Sequence, residues 1–139
     1  MSLETWEQLL PKNELLSILE SEMARRGAGS VAEGKPGCVD GSLGNAWSAE
    51  QYTADEYPGK IEGFVFACYA LRSLALNHCL VDGNKRLAWI AFIAVLATLG
   101  LTVDVTQEDA AAFVERIIVD HLEGPVVVAW ATENLSILT

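Results

Sequence analysis

From Leu87 to Val103 the chain reads LAWIAFIAVLATLGLTV and carries no charge. A helix that crosses a bilayer needs roughly 20 apolar residues, and this run is shorter. Gly100 and Thr102 weaken a membrane reading further. The pattern therefore predicts a helix buried on every side at the centre of a soluble domain.

The remaining segments must wrap that post. Pro11 to Arg26 sets Leu15, Leu16, Leu19 and Met23 on one stripe before Gly27, which predicts a helix with a proline start and a glycine stop. Residues 27–41 are rich in glycine and read as a surface loop, followed by a short helix from Val39 to Trp47. SAEQYTADEYPGK, residues 48–60, reads as a loop or small flap. Between Lys60 and Asn77, Ile61, Phe64, Val65, Cys68, Leu71 and Ala75 recur at helical spacing, predicting a second, largely buried helix. Thr106 is a natural N-cap for a helix that carries Glu108 and Asp109 in its first turn and stops at Gly124. Pro125 to Leu138 opens with a β-branched run, yet proline at a first helical position favours helix. The expected fold class is all-α, with about six helices around the buried central one. All 139 residues form one domain, 1–139, in which residues 1–10 read as a tag or a flexible leader.

Charge and cysteine usage narrow the function classes. The net charge is -10, and nine Lys and Arg can hardly build the basic face that nucleic acid requires, so no direct nucleic-acid binding is expected. Any anion must be held locally. No positive region followed by an apolar stretch opens the chain, so no secretory signal is read there. Cys38, Cys68 and Cys79 are odd in number and far apart, and are expected to be reduced thiols in a cytoplasmic protein.

The local site for an anion lies just before the central helix, in HCLVDGNKR, residues 78–86. Backbone N–H groups at a helix start are unpaired and partly positive. Gly83 permits close backbone approach there, and Asn84 is a good cap residue. Lys85 and Arg86 add a mobile point charge and a planar fork suited to phosphate oxygens. Asp82 offers a carboxylate for Mg2+, which bridges phosphate oxygens. His78 offers an imidazole, a group that exchanges protons near neutral pH. Taken alone, Asp-Gly-Asn is more often a turn and a lone histidine more often structural. The helical flanks exclude a hairpin, and the groups together favour a site.

HCLVDGNKR resembles the signature of the Fic/Doc family, H-x-F-x-[DE]-[GA]-N-[GK]-R, with Lys85 matching its Doc (death-on-curing) branch. GKPGCVDGSLGNAW, residues 34–47, is similar to the Doc segment in which a glycine turn precedes a short helix. The resemblance covers residues 11 to 138. It implies that residues 78–86 are the active-site loop, with His78 as general base, Asp82 as Mg2+ ligand, Gly83 and Asn84 shaping an anion nest, and Lys85 and Arg86 on nucleotide phosphates. It further implies an ATP-dependent toxin kinase that phosphorylates a translation elongation factor Tu-like protein, arrests translation and is restrained by a cognate antitoxin. A Fic-type AMP transferase and an inactive Fic-fold partner-binding module are the alternatives.

The sequence also departs from the pattern. Leu80 replaces phenylalanine and should still anchor the loop, Cys79 replaces a common proline, and Trp89 lies where AMP-transferring relatives carry a second arginine. The inhibitory motif [ST]-x-x-x-E-[GN] is absent, SVAEG at Ser30 to Gly34 being one residue short. His121 reads as a helix-end residue, Phe64, Phe66, Trp89 and Phe92 as core, and Arg25 and Arg26 as helix-end charges.

Overall fold

Residues 87–98 of the uncharged run lie in α4, Asn84–Thr98, with Leu87, Ala88, Ala91, Phe92, Val95 and Leu96 buried. The helix is not buried on every side as expected, because Trp89, Ile90, Ile93 and Ala94 are half-buried and Ala97 and Thr98 exposed. In the computed structural model, which describes residues 5–25, 32–53 and 55–139, α4 packs most extensively against α3, Phe64–Asn77. Burial of α3 extends from Phe64 to Ala75, because α2, Cys38–Tyr52, covers the side that α4 leaves open. Helix α1, Lys12–Arg25, lies on α4 and buries Leu15, Leu19 and Met23. Helices α5, Gln107–Asp120, and α6, Gly124–Glu133, close the remaining side of α3. The fold is all-α, with six α-helices among the described residues.

Several boundaries differ from the sequence expectation, each for a local reason. Residues 48–52, expected in a loop, continue α2, because Glu50 turns inward and is needed there. Its carboxylate accepts hydrogen bonds from the N–H of Gly63, 2.7 Å, and of Phe66, 2.9 Å, at the start of α3. This cap, with Gly63 at φ 99°, sets the helix start at Phe64 rather than Lys60. Helix α6 stops at Glu133, and Leu135–Ile137 forms β2, paired antiparallel with β1, Leu101–Val103. Leu101 stands opposite Ile137 and Val103 opposite Leu135.

Residues 5–10, expected within a tag or flexible leader, pack on the domain. Trp6–Gln8 is a turn of 3-10 helix, and Trp6, Leu9 and Leu10 enter the core. Residues 27–31 of the expected glycine-rich loop, with Arg26 and Ser30, lie outside the described residues.

The start of α5 is as the sequence expects, whereas its end comes earlier, at Asp120 rather than Gly124, which opens α6. The Thr106 hydroxyl accepts from the Asp109 N–H at 3.0 Å, and His121 ends the helix in a left-handed conformation, φ 48°. Arg72 of α3 donates to the Leu122 carbonyl at 2.7 Å and ties that end to the core.

Candidate active site

Residues 78–83 connect α3 to α4, and their conformation is fixed from both sides. His78 is the C-cap of α3, in the left-handed region at φ 48°, ψ 51°, with its side chain exposed. Such a backbone suits glycine and is strained for a residue with a Cβ. Cys79 and Leu80 then turn inward, Leu80 only 4% exposed, which anchors the loop as leucine was expected to do.

Asn84 serves a different purpose from the expected one. The N-cap of α4 is Gly83, at φ 88°, and Asn84 is the first helical residue. The Asn84 amide closes back on Leu80, accepting from its N–H at 2.9 Å and donating to its carbonyl at 3.0 Å. Its side chain is therefore committed to the loop's own backbone, so any anion nest is shaped indirectly. Gly83 has a φ that L residues rarely adopt, and a Cβ there would also press on the Met23 sulfur and methyl at 3.2 Å.

Asp82 is exposed, with Oδ1 accepting from the Gly83 N–H at 2.8 Å. Lys85 pairs with Glu115 of α5, and Arg86 lies 3.8 Å from Glu22 of α1. These four side chains, with Trp89 and Gln107, line a hollow of about 560 Å³ between α1, α4 and α5, floored by Ile90, Ala110 and Val114. That volume lies in the range of small-ligand sites. Trp89 is half-buried wall rather than simple core, held at 6.2 Å from Trp130, which in turn stacks on Phe113 at 3.9 Å.

The structure thus brings Lys85 and Arg86 to one hollow, while His78 and Asp82 stand exposed on the preceding loop and do not line it. Glu22 and Glu115 were not singled out in the sequence. Nothing local marks them, since they approach the cations from other helices. Glu50 was missed for the same reason. Burial raises its carboxyl above the usual value, against the pull of the Phe66 and Gly63 N–H groups, and the charge of Glu62 adds to the rise.

The cysteines depart most from expectation. Cys38 and Cys79 form a disulfide, Cα atoms 5.2 Å apart, although reduced thiols were expected. Their separation of 41 residues hid the pairing, which exists because the start of α2 packs beside the end of α3. Cys68 is free and fully buried, and burial pushes its thiol up strongly, so it is inert.

Chemically, the hollow offers two cations, one planar and one mobile, near the start of α4, an arrangement that accepts phosphate oxygens. Among the described residues no group of three or more His, Cys, Asp or Glu could hold a metal ion. A lone exposed carboxylate such as Asp82 still fits Mg2+ that takes its other ligands from water and phosphate. Among the described residues no helix is long and apolar enough to cross a membrane.

The Toxin Doc of Mycolicibacterium smegmatis is 41% identical over 70 residues, covering 46% of this chain and 51% of that protein. The chain thus spans about half the length of the curated relative it matches. The sequence profile of the Fic/DOC family matches residues 13–96, which include α2, α3, the 78–83 loop and most of α4. With more than half of its length matched, this chain belongs to the Fic/DOC family.

Proposed function

We propose that this protein is a Doc-like toxin that transfers phosphate from ATP to a hydroxyl of a target protein. The observation that supports this best is the pairing of Lys85 and Arg86 on one hollow at the start of α4, directly after a loop that presents an exposed imidazole and an exposed carboxylate. The family membership supports a protein-modifying transferase, and the Toxin Doc relative supports the toxin reading.

In this reading Arg86 and Lys85 hold phosphate oxygens, leaving Glu115 and Glu22 to yield the cations when an anion enters. Asp82 would hold Mg2+, its carboxylate being exposed on the loop. Bound ATP and Mg2+ supply the phosphoryl group and the counter-charge for its transfer. His78 accepts the proton of the incoming hydroxyl at its exposed imidazole, and the Asn84 closure of the loop keeps that imidazole in place. Trp89 and the apolar floor exclude water from one side of the hollow.

The target in this reading is a translation elongation factor resembling Tu, in the cytoplasm, and a cognate antitoxin binds in trans to restrain the enzyme. Incubation of the chain with lysate and ATP labelled at either the γ or the α phosphate tests the reaction. Label retained on one protein band from γ-ATP alone, and lost with His78→Ala, is the expected result. Label retained from α-ATP overturns phosphate transfer in favour of AMP transfer. Growth arrest that persists with His78→Ala overturns both and leaves a partner-binding module.

A further inference from the structure

The disulfide between Cys38 and Cys79 joins two segments 41 residues apart in sequence, and Cys79 lies one residue after His78. Residues 32–35, just ahead of α2, run along the loop as a short antiparallel bridge, Glu33 opposite Leu80. The Gly34 and Lys35 N–H groups donate to the Cys79 carbonyl at 2.9 and 3.3 Å, and the Val81 N–H donates to the Ala32 carbonyl at 3.0 Å. Lys35 Nζ donates to the Asn77 carbonyl at 3.1 Å, and Asn77 Nδ2 donates to Ser42 Oγ at 2.8 Å. Both peptide neighbours of His78 are therefore fastened to one strap, residues 32–42. Apart from the disulfide and the Ser42 contacts, these fastenings are hydrogen bonds near solvent, which open readily.

We propose that the Cys38–Cys79 disulfide is a reversible lock that holds the His78 loop ordered, and that its reduction by a dithiol loosens the loop and lowers transfer. The consequence for transfer rests on the reading of His78 given above; the lock itself does not. Cys38 is half-buried at the first turn of α2 and is the reachable sulfur, whereas Cys79 is fully buried. A reductant thiolate attacks Cys38 Sγ, the Cys38–Cys79 bond breaks, and its electron pair leaves on Cys79. Ser42 Oγ stands 3.5 Å from Cys79 Sγ. Because that oxygen accepts from Asn77, its own hydrogen is free to point at the departing sulfur. The second thiol of the dithiol then attacks the mixed disulfide and releases Cys38. Two electrons pass, the dithiol becomes a disulfide, and its two protons end on Cys38 and Cys79.

Three measurements on the whole chain decide this. Thiol titration of denatured protein kept under a disulfide oxidant should find one reactive cysteine of the three, Cys68, and all three after dithiothreitol. Three without reductant overturns the lock. Amide exchange over residues 78–83 should then accelerate on the order of tenfold on reduction, and equally in Cys38→Ser without reductant, while α5 keeps its protection. Equal exchange in both redox states overturns the lock even if transfer activity is present. In transfer assays the reduced protein should be slower than the oxidised. Equal rates with His78 still required overturn the gating, whereas activity that persists in His78→Ala overturns the site reading and leaves the exchange result to judge the lock.

Discussion

Asn84 holds Leu80 by both ends of its backbone unit, accepting from the N–H and donating to the carbonyl across the turn that carries Asp82 and Gly83. The loop is thereby closed by a side chain from the very helix it introduces. Asn84→Asp keeps the acceptor but sets a carboxylate oxygen against the Leu80 carbonyl, and Asn84→Ala removes both bonds. Each should cost about 1–3 kcal/mol, because a buried backbone group loses its partner. Chemical denaturation reads the loss. Transfer activity should fall further than stability does, since the same closure positions His78. An Asn84→Asp protein as stable as wild type would show that the closure contributes little.

Glu50 gives a prediction with a defined sign. Its carboxyl is raised above its ordinary value of 4.5 by burial. Between 4.5 and that raised value the folded chain binds more protons than the unfolded one, so the contribution is full below 4.5 and is lost as pH rises through the folded value. Gln cannot titrate, and its amide offers one acceptor where two N–H groups point. Glu50→Gln should therefore cost about 1–3 kcal/mol at the acidic end. The gap to wild type should narrow as pH increases. Denaturation at a series of pH values checks this, and a gap that is constant or widens contradicts it.

What the sequence made legible was whatever its neighbours in sequence determine. The buried post, the Thr106 cap, the stripe of α1 and the run from His78 to Arg86 each depend on spacing within a few turns. What stayed hidden depends on packing between distant segments. Glu50 reads as one more polar residue until the α3 N-terminus is placed above it. Leu101–Val103 and Leu135–Ile137 are too short to show a strand period, and only their pairing makes them strands. Cys38 and Cys79 are 41 residues apart, and an odd cysteine count argues against a bridge until the α2 start is seen beside the α3 end. In the site itself the cations were legible, while the acids that neutralise them were not.

That neutralisation has its own consequence. Lys85 and Glu115 are both largely exposed, 60% and 51% for their side chains, so their pair contributes about 0–1 kcal/mol to folding. An entering phosphate must compete with the Glu115 carboxylate for the same ammonium. Glu115→Gln should leave the unfolding midpoint nearly unchanged and tighten binding of ATP severalfold, an effect that shrinks as salt screens the charges. Isothermal titration at two ionic strengths measures it. Weaker binding by Glu115→Gln would mean that Glu115 positions Lys85 rather than competing for it.

His78 and His121 adopt the same left-handed conformation, φ 48° with ψ 51° and 52°, each ending a helix. Glycine is the residue that such a position favours, because a Cβ there costs about 1–2 kcal/mol. Against this, glycine makes the unfolded chain more flexible, which takes back about 0.4–1 kcal/mol. Both His→Gly variants should therefore be as stable as wild type or more so by up to about 1.6 kcal/mol. Activity separates the two. If the proposed transfer holds, His121→Gly should keep the wild-type rate, while His78→Gly should lose transfer despite its intact or improved stability. A stable His78→Gly enzyme with full activity would make the imidazole dispensable, and a destabilised one would mean that its side chain holds the loop through contacts beyond the backbone.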